Sequence, residues 1–223
     1  MTPSNTQLAT IKTVLFVVCL LPAALLWRRF DLDALGANPI EAITRNTGDW
    51  TLRFLLITLT VTPLRKLTGW HWIVRLRRML GLFAFAYGVT HFLTYLWLDQ
   101  FFDWHAIAKD ILKRPFITVG FAALVLMTPL AVTSHNFLIR KLGGRRWQAL
   151  HRSVYAVAIL GCVHFWWLVK KDITEPLLYS LILAVLLGVR AWWRELERRK
   201  QITGGYLPQP PRLGGKVIRI FAK

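Results

Sequence analysis

Six long apolar stretches constrain this chain more than any other feature, because about 20 consecutive apolar residues suffice to cross a bilayer as a helix. They run roughly over 11–27, 50–64, 79–98, 115–133, 147–169 and 176–193. Within hydrocarbon each segment must satisfy its own backbone N–H and C=O groups, which selects helices. The expected fold is an all-α integral membrane protein, a bundle of six transmembrane helices. Composition excludes an ordinary soluble domain, since 55% of the 223 residues are hydrophobic while the formal net charge is +18. The eleven tryptophans, Trp27, Trp97, Trp147 and Trp193 among them, fall at or near segment ends, as in an aromatic belt. The second stretch is short and carries Arg53, so a tilted or partly re-entrant course is open to it. The first is expected to stay as a span: it is longer than a usual signal core, Arg28 and Arg29 follow directly, and no A-x-A site precedes them.

Where Lys and Arg fall sets the orientation. The connection after the second stretch holds Arg65, Lys66, Arg75, Arg77 and Arg78, and the one after the fourth holds Arg140, Lys141, Arg145 and Arg146, neither with an acid. The other connections mix signs, as with Asp99, Asp103 and Asp110 beside Lys109, Lys113 and Arg114. Both termini are therefore expected on the cytoplasmic side of the membrane. Residues 1–10 form a short N-terminal cytoplasmic strip, 11–200 the six-helix domain, and 201–223 a basic, Gly- and Pro-rich flexible tail. Charge so placed suits topology and anionic lipid headgroups, not nucleic acid. Asn46-Thr47-Gly48-Asp49 offers turn and cap chemistry just before the second stretch. The two cysteines, Cys19 and Cys162, lie within apolar stretches, and no C-x-x-C-H haem-attachment motif is present. Any haem would be of the non-covalent b type.

Three histidines, His91, His151 and His164, sit inside or at the mouth of apolar stretches. An imidazole there loses its water and needs a partner, so it marks a candidate site. The third and fifth spans run parallel, and His91 and His164 fall about 12 Å and 9 Å below their outer ends at the helical rise. Two histidines at one depth on neighbouring helices suit the two axial positions of a haem iron. Gly88 and Gly161, each three residues earlier, face the same side. Room for a porphyrin and simple close helix packing are both open readings of them. His151 lies nearer the cytoplasmic end and has no depth-matched histidine. It stands as ligand of a second haem, as a contact to a propionate or inner cofactor, or as an interfacial histidine. His71, His105 and His135 fall in solvated connections.

The runs GANPIEAITRNTGDW, LTVTPLRKLTG, RRMLGLFAFAYGVTHFLTYLWLD, KRPFITVGFAALVLMTPLAVTS and RRWQALHRSVYAVAILGCVHFWWLVK closely resemble the bacterial MsrQ (YedZ) family, over almost the whole chain outside its two ends. That family belongs with the ferric-reductase-like transmembrane proteins. The resemblance implies the haem-binding membrane subunit of a periplasmic methionine sulfoxide reductase system, which repairs oxidised periplasmic proteins. It implies haem b and FMN as cofactors. Electrons would come from the respiratory quinone pool as quinol, or from a separate flavin reductase, and pass to a periplasmic molybdopterin-containing catalytic subunit that carries the sulfoxide chemistry. It places the haem ligands on His91, His151 and His164, with Arg77 standing where the related oxidases have a fourth histidine. Two other classes compete: a proton-coupled transporter using the histidines as a relay, and a non-catalytic membrane anchor for a periplasmic partner.

Overall fold

The structure, a computed structural model, describes residues 3–203. Among these residues it is all-helical, with α1 Asn5–Asp31, α2 Pro39–Thr68, α3 Arg77–Thr94, α4 Trp104–Lys113, α5 Pro115–Val132, α6 Asn136–Leu142, α7 Gly144–His151, α8 Val154–Leu168 and α9 Thr174–Thr203. A 3₁₀ segment, His71–Leu76, leads into α3, and a π turn, Tyr95–Asp99, extends it. Four stretches are long and apolar enough to span a membrane: Asn5–Asp31, His71–Asp99, Pro115–Val132 and Thr174–Ile202. α2 contains Glu41, Arg45, Asp49 and Arg53, and α8 has only 15 residues, so neither joins that set. The chain divides into a unit of residues 1–187 and a second of residues 188–223. In the second, the structure describes the continuation of α9 to Thr203, where Glu195 pairs with Arg199 at 3.0 Å. Most of the tail expected over 201–223 lies outside the described residues.

α2 lies between the two buried clusters of the bundle. Leu52, Leu55, Leu56 and Leu59 are buried, and two clusters meet along it: Phe54, Leu80, Phe83 and Tyr87 on one side, Ala158, Cys162, Tyr179 and Leu183 on the other. α1 instead leaves Val14, Val17 and Leu25 exposed, as a lipid-facing surface requires. Arg53, the charge that made the second stretch doubtful, is answered by α9. Its Nε donates to the Tyr179 hydroxyl at 2.7 Å and its guanidinium lies 5.0 Å over the Trp50 ring.

Three sequence expectations change. α2 begins at Pro39, not near residue 50: Asn38 caps it by accepting from the Glu41 N–H at 3.2 Å, and Pro39 occupies the first turn where no N–H is needed. Asn46–Asp49 is therefore helix interior, and the Thr47 hydroxyl folds back on the Ile43 carbonyl at 2.9 Å. The fifth stretch is two helices, α7 and α8, because the backbone tightens at Arg152 and Ser153. There the Ser153 N–H and hydroxyl both donate to the Leu150 carbonyl, at 3.0 and 2.8 Å. The connection after α3 contains a helix of its own, α4, whose first turn is held by the Asp103 carboxylate.

α1 contains Pro22, and beside it the Tyr87 hydroxyl enters the helix ladder. It accepts from the Ala23 N–H and donates to the Cys19 carbonyl, both at 3.0 Å, replacing the bond those two groups would otherwise share. Tyr87→Phe is expected to destabilise the protein by about 1–2 kcal/mol, because the Cys19 carbonyl and the Ala23 N–H lose their partner within an apolar helix. Thermal denaturation in detergent reads the effect.

Candidate functional site

α2 packs along α3 and α5 along α8, and each pair carries one of the membrane histidines, His91 on α3 and His164 on α8. The two imidazoles meet, with ring centroids 6.2 Å apart and planes inclined at 80°. The depth match read from the sequence is thus a direct approach of the side chains.

Each ring is anchored in the same way. His91 Nδ1 lies 2.8 Å from the Thr44 carbonyl oxygen, and His164 Nδ1 lies 2.7 Å from that of Phe116. A carbonyl can only accept, so both Nδ1 atoms carry the proton and donate, leaving each Nε2 with its lone pair. A histidine that binds metal through Nε2 needs that tautomer, with Nδ1 held by a hydrogen-bond partner. An ion between two imidazoles, with bonds of about 2 Å and about 1 Å more from each nitrogen to its ring centre, calls for centroids roughly 6 Å apart. The observed 6.2 Å fits.

The donor set also says which kind of metal fits. Among the described residues no group of three or more His, Cys, Asp or Glu gathers. A bare zinc ion takes three or four protein ligands, whereas a haem iron has its equatorial positions filled by the porphyrin and asks the protein only for axial ligands. Two Nδ1-anchored imidazoles meet the second requirement and not the first.

Close approach of the rings to the flanking helices depends on two glycines that sequence reasoning did not single out. One turn beyond Thr44 is Gly48, where an added Cβ would sit 3.0 Å from His91 Cε1. One turn beyond Phe116 is Gly120, where it would sit 2.8 Å from His164 Cε1. A carbonyl at one position and a glycine four residues on thus form the same seat on α2 and on α5. Gly88 and Gly161 face elsewhere: a Cβ at Gly88 would meet Thr51 at 3.4 Å, and one at Gly161 would meet Leu52 at 3.4 Å, both on α2. Both therefore lie against α2 in this structure.

His151 is not brought to the pair. Its ring stacks on Trp147 at 4.0 Å, and its Nε2 lies 3.1 Å from the Thr133 hydroxyl. That hydroxyl donates its own hydrogen to the Pro129 carbonyl at 2.6 Å, so it accepts from His151, whose Nε2 is protonated and whose Nδ1 is the free nitrogen. This is the opposite tautomer from His91 and His164. Arg77 holds a partly buried guanidinium whose Nε has no hydrogen-bond partner. His71, His105 and His135 are exposed, and His135 caps α6 through the Phe137 N–H. Cys19 and Cys162 are buried free thiols.

Fold and site define a helical membrane protein with a paired-imidazole centre between two helix pairs. The ferric reductase like transmembrane component family matches residues 47–162, which include His91, His151 and Gly120. Three curated relatives carry the name protein-methionine-sulfoxide reductase heme-binding subunit MsrQ. The protein from Azospira oryzae is 62% identical over 88% of this chain and 83% of its own. That from Herminiimonas arsenicoxydans is 56% identical over 89% and 92%, and that from Ralstonia nicotianae 50% over 91% and 94%. The chain belongs to the MsrQ family of ferric-reductase-like, multi-pass membrane proteins.

Proposed function

We propose that this chain is the haem b-binding membrane subunit of a methionine sulfoxide reductase system, carrying electrons across a bacterial inner membrane to a periplasmic catalytic partner. The observation that carries the reading is the pair of imidazoles 6.2 Å apart, each with Nδ1 tied to a carbonyl and Nε2 free. The names of the relatives support it. Bound between His91 and His164, haem supplies a one-electron carrier at a potential set by its ligands and their burial. The protein's part is to hold both rings in one tautomer and orientation, through Thr44, Phe116, Gly48 and Gly120, so that little rearrangement accompanies electron arrival or departure. Sulfoxide reduction consumes electrons in pairs together with protons, and we place that chemistry on a molybdopterin-containing partner.

The finer arrangement follows from charge. α2 and the α7–α8 pair complete six crossings, both termini lie in the cytoplasm, and the His91–His164 pair lies toward the periplasm, the side of the acceptor. The donor, quinol or a separate flavin reductase, delivers from the inner side. FMN belongs there as well, where the Lys- and Arg-rich connections offer partners for its phosphate. A proton relay through the same histidines is less well supported, because each Nδ1 faces a carbonyl that takes up no proton.

The test is a reduced-minus-oxidised spectrum of the purified full-length protein, with a low-spin haem b signal expected; a colourless protein refutes the proposal. His151 is assigned to the donor side of the route. His151→Ala is expected to keep the low-spin signal of the outer pair, since its ring touches neither histidine. It should slow reduction by a quinol analogue about tenfold or more, the scale on which loss of a cofactor-positioning group is felt. Stopped-flow absorbance follows both.

A further inference from the structure

A cleft of about 370 Å³ opens between α1 and the start of α3, and its lining is divided sharply in two. At one end stand three cations, Lys12 on α1, Arg75 in the 3₁₀ segment and Arg78 in the first turn of α3. No acid lines it. Beyond them the walls are apolar: Phe16, one turn on from Lys12, meets Phe83 edge to face at 5.2 Å, and Met79 and Leu82 continue the wall along α3. From Met79 to Ala86, the last residue of the wall, the helical rise gives about 10 Å of apolar groove.

Among the described residues no acid neutralises these cations. Arg78 donates to the Asn136 side chain at 2.7 Å, which binds α6 to α3 through one of its nitrogens and neutralises no charge. Lys12 and Arg75 are exposed, and among the described residues no ion pair involves any of the three. A second cleft of about 630 Å³ along α1, lined by Gln7, Thr10, Val14 and Leu76, holds no charged side chain. The basic residues therefore do not simply follow α1 but gather at one groove.

We propose that this cleft binds an acidic phospholipid, with its phosphate between Lys12, Arg75 and Arg78 and one acyl chain along Phe16, Met79 and Leu82. Basic pockets between transmembrane helices on the cytoplasmic side have the required chemistry: a cationic mouth at headgroup level and an apolar wall below it. Such a lipid would seat α1, which contacts the bundle only lightly, against α3. The site is separate from the imidazole pair, so it holds or fails independently of the haem reading.

Native mass spectrometry of the delipidated full-length protein, titrated with phosphatidylglycerol, tests this. A saturable adduct is expected, weakened about tenfold or more in Lys12→Gln/Arg75→Gln, since each basic residue near a headgroup contributes appreciably to binding. The same loss of charge in Arg140→Gln/Lys141→Gln, on α6, should leave the adduct unchanged. Equal weakening in both double variants overturns the site, as does equally tight binding of phosphatidylcholine. Competition separates the sources of phosphate: inorganic phosphate and FMN should fail to displace the lipid, and displacement by either at equal concentration overturns the lipid assignment.

Discussion

His91→Ala and His164→Ala are each expected to lower haem affinity by about 100-fold or more and to abolish the low-spin signal of whatever haem remains. Removing an outer-shell partner of a metal ligand already costs 10–100-fold, so removing the ligand itself sets a larger effect. The two variants should match, because the seats are equivalent: each imidazole has one carbonyl behind it, at 2.8 and 2.7 Å, and one glycine beside it. Titration of the apoprotein with haemin gives the affinity, and the oxidised spectrum gives the spin state. His164→Gly adds a readout that a purely structural histidine would not move. Imidazole supplied in solution should enter the vacated space and restore the low-spin spectrum. Wild-type affinity in both alanine variants would remove the pair from the site.

The fate of the three membrane histidines shows what a sequence can and cannot disclose here. His91 and His164 were legible because depth on a helix is a one-dimensional quantity: counting residues back from Asp99 and Lys170 places both at one level. Parallel spans then bring them together. Their anchors were not legible, because Thr44 and Phe116 act through backbone carbonyls, which every residue possesses. Gly48 was hidden for a related reason. In Asn46-Thr47-Gly48-Asp49 it reads as a turn, but the cap supplied by Asn38 and Pro39 starts α2 earlier and turns the same glycine into helix interior. Gly88 and Gly161 attracted attention because they share a helix face with the histidines, yet a residue three positions away also faces the next helix over, and in this bundle that helix is α2. For His151 the fifth stretch reads as one span, yet Arg152 and Ser153 break the helix between it and His164, so the two do not share one helical face.

Among alanine substitutions at the described glycines, Gly120→Ala is expected to weaken haem binding most. Its Cβ would lie 2.8 Å from both Cε1 and Nδ1 of His164, closer than carbon packing tolerates, so the ring must move. Moving it breaks the Nδ1–H bond to Phe116 and displaces Nε2. Haem affinity should therefore fall about 10–100-fold. Helix propensity acts the other way, since alanine is favoured over glycine by about 1 kcal/mol in a helix interior. The unliganded protein thus changes little in melting temperature while haem binding weakens, a combination that general misfolding does not produce. Gly48→Ala meets His91 at 3.0 Å and should follow with a smaller loss. Gly161→Ala meets a Leu52 methyl at 3.4 Å, and Gly88→Ala meets Thr51 at 3.4 Å and Leu124 at 3.8 Å, all ordinary contacts, so both should keep haem affinity within about threefold. The order Gly120, Gly48, then Gly88 with Gly161 follows from contact distance alone, and haemin titration of the four variants checks it. A loss at Gly161 as large as at Gly120 would move the porphyrin to the α8 face beside Leu52 and away from the seat formed by Phe116 and Gly120.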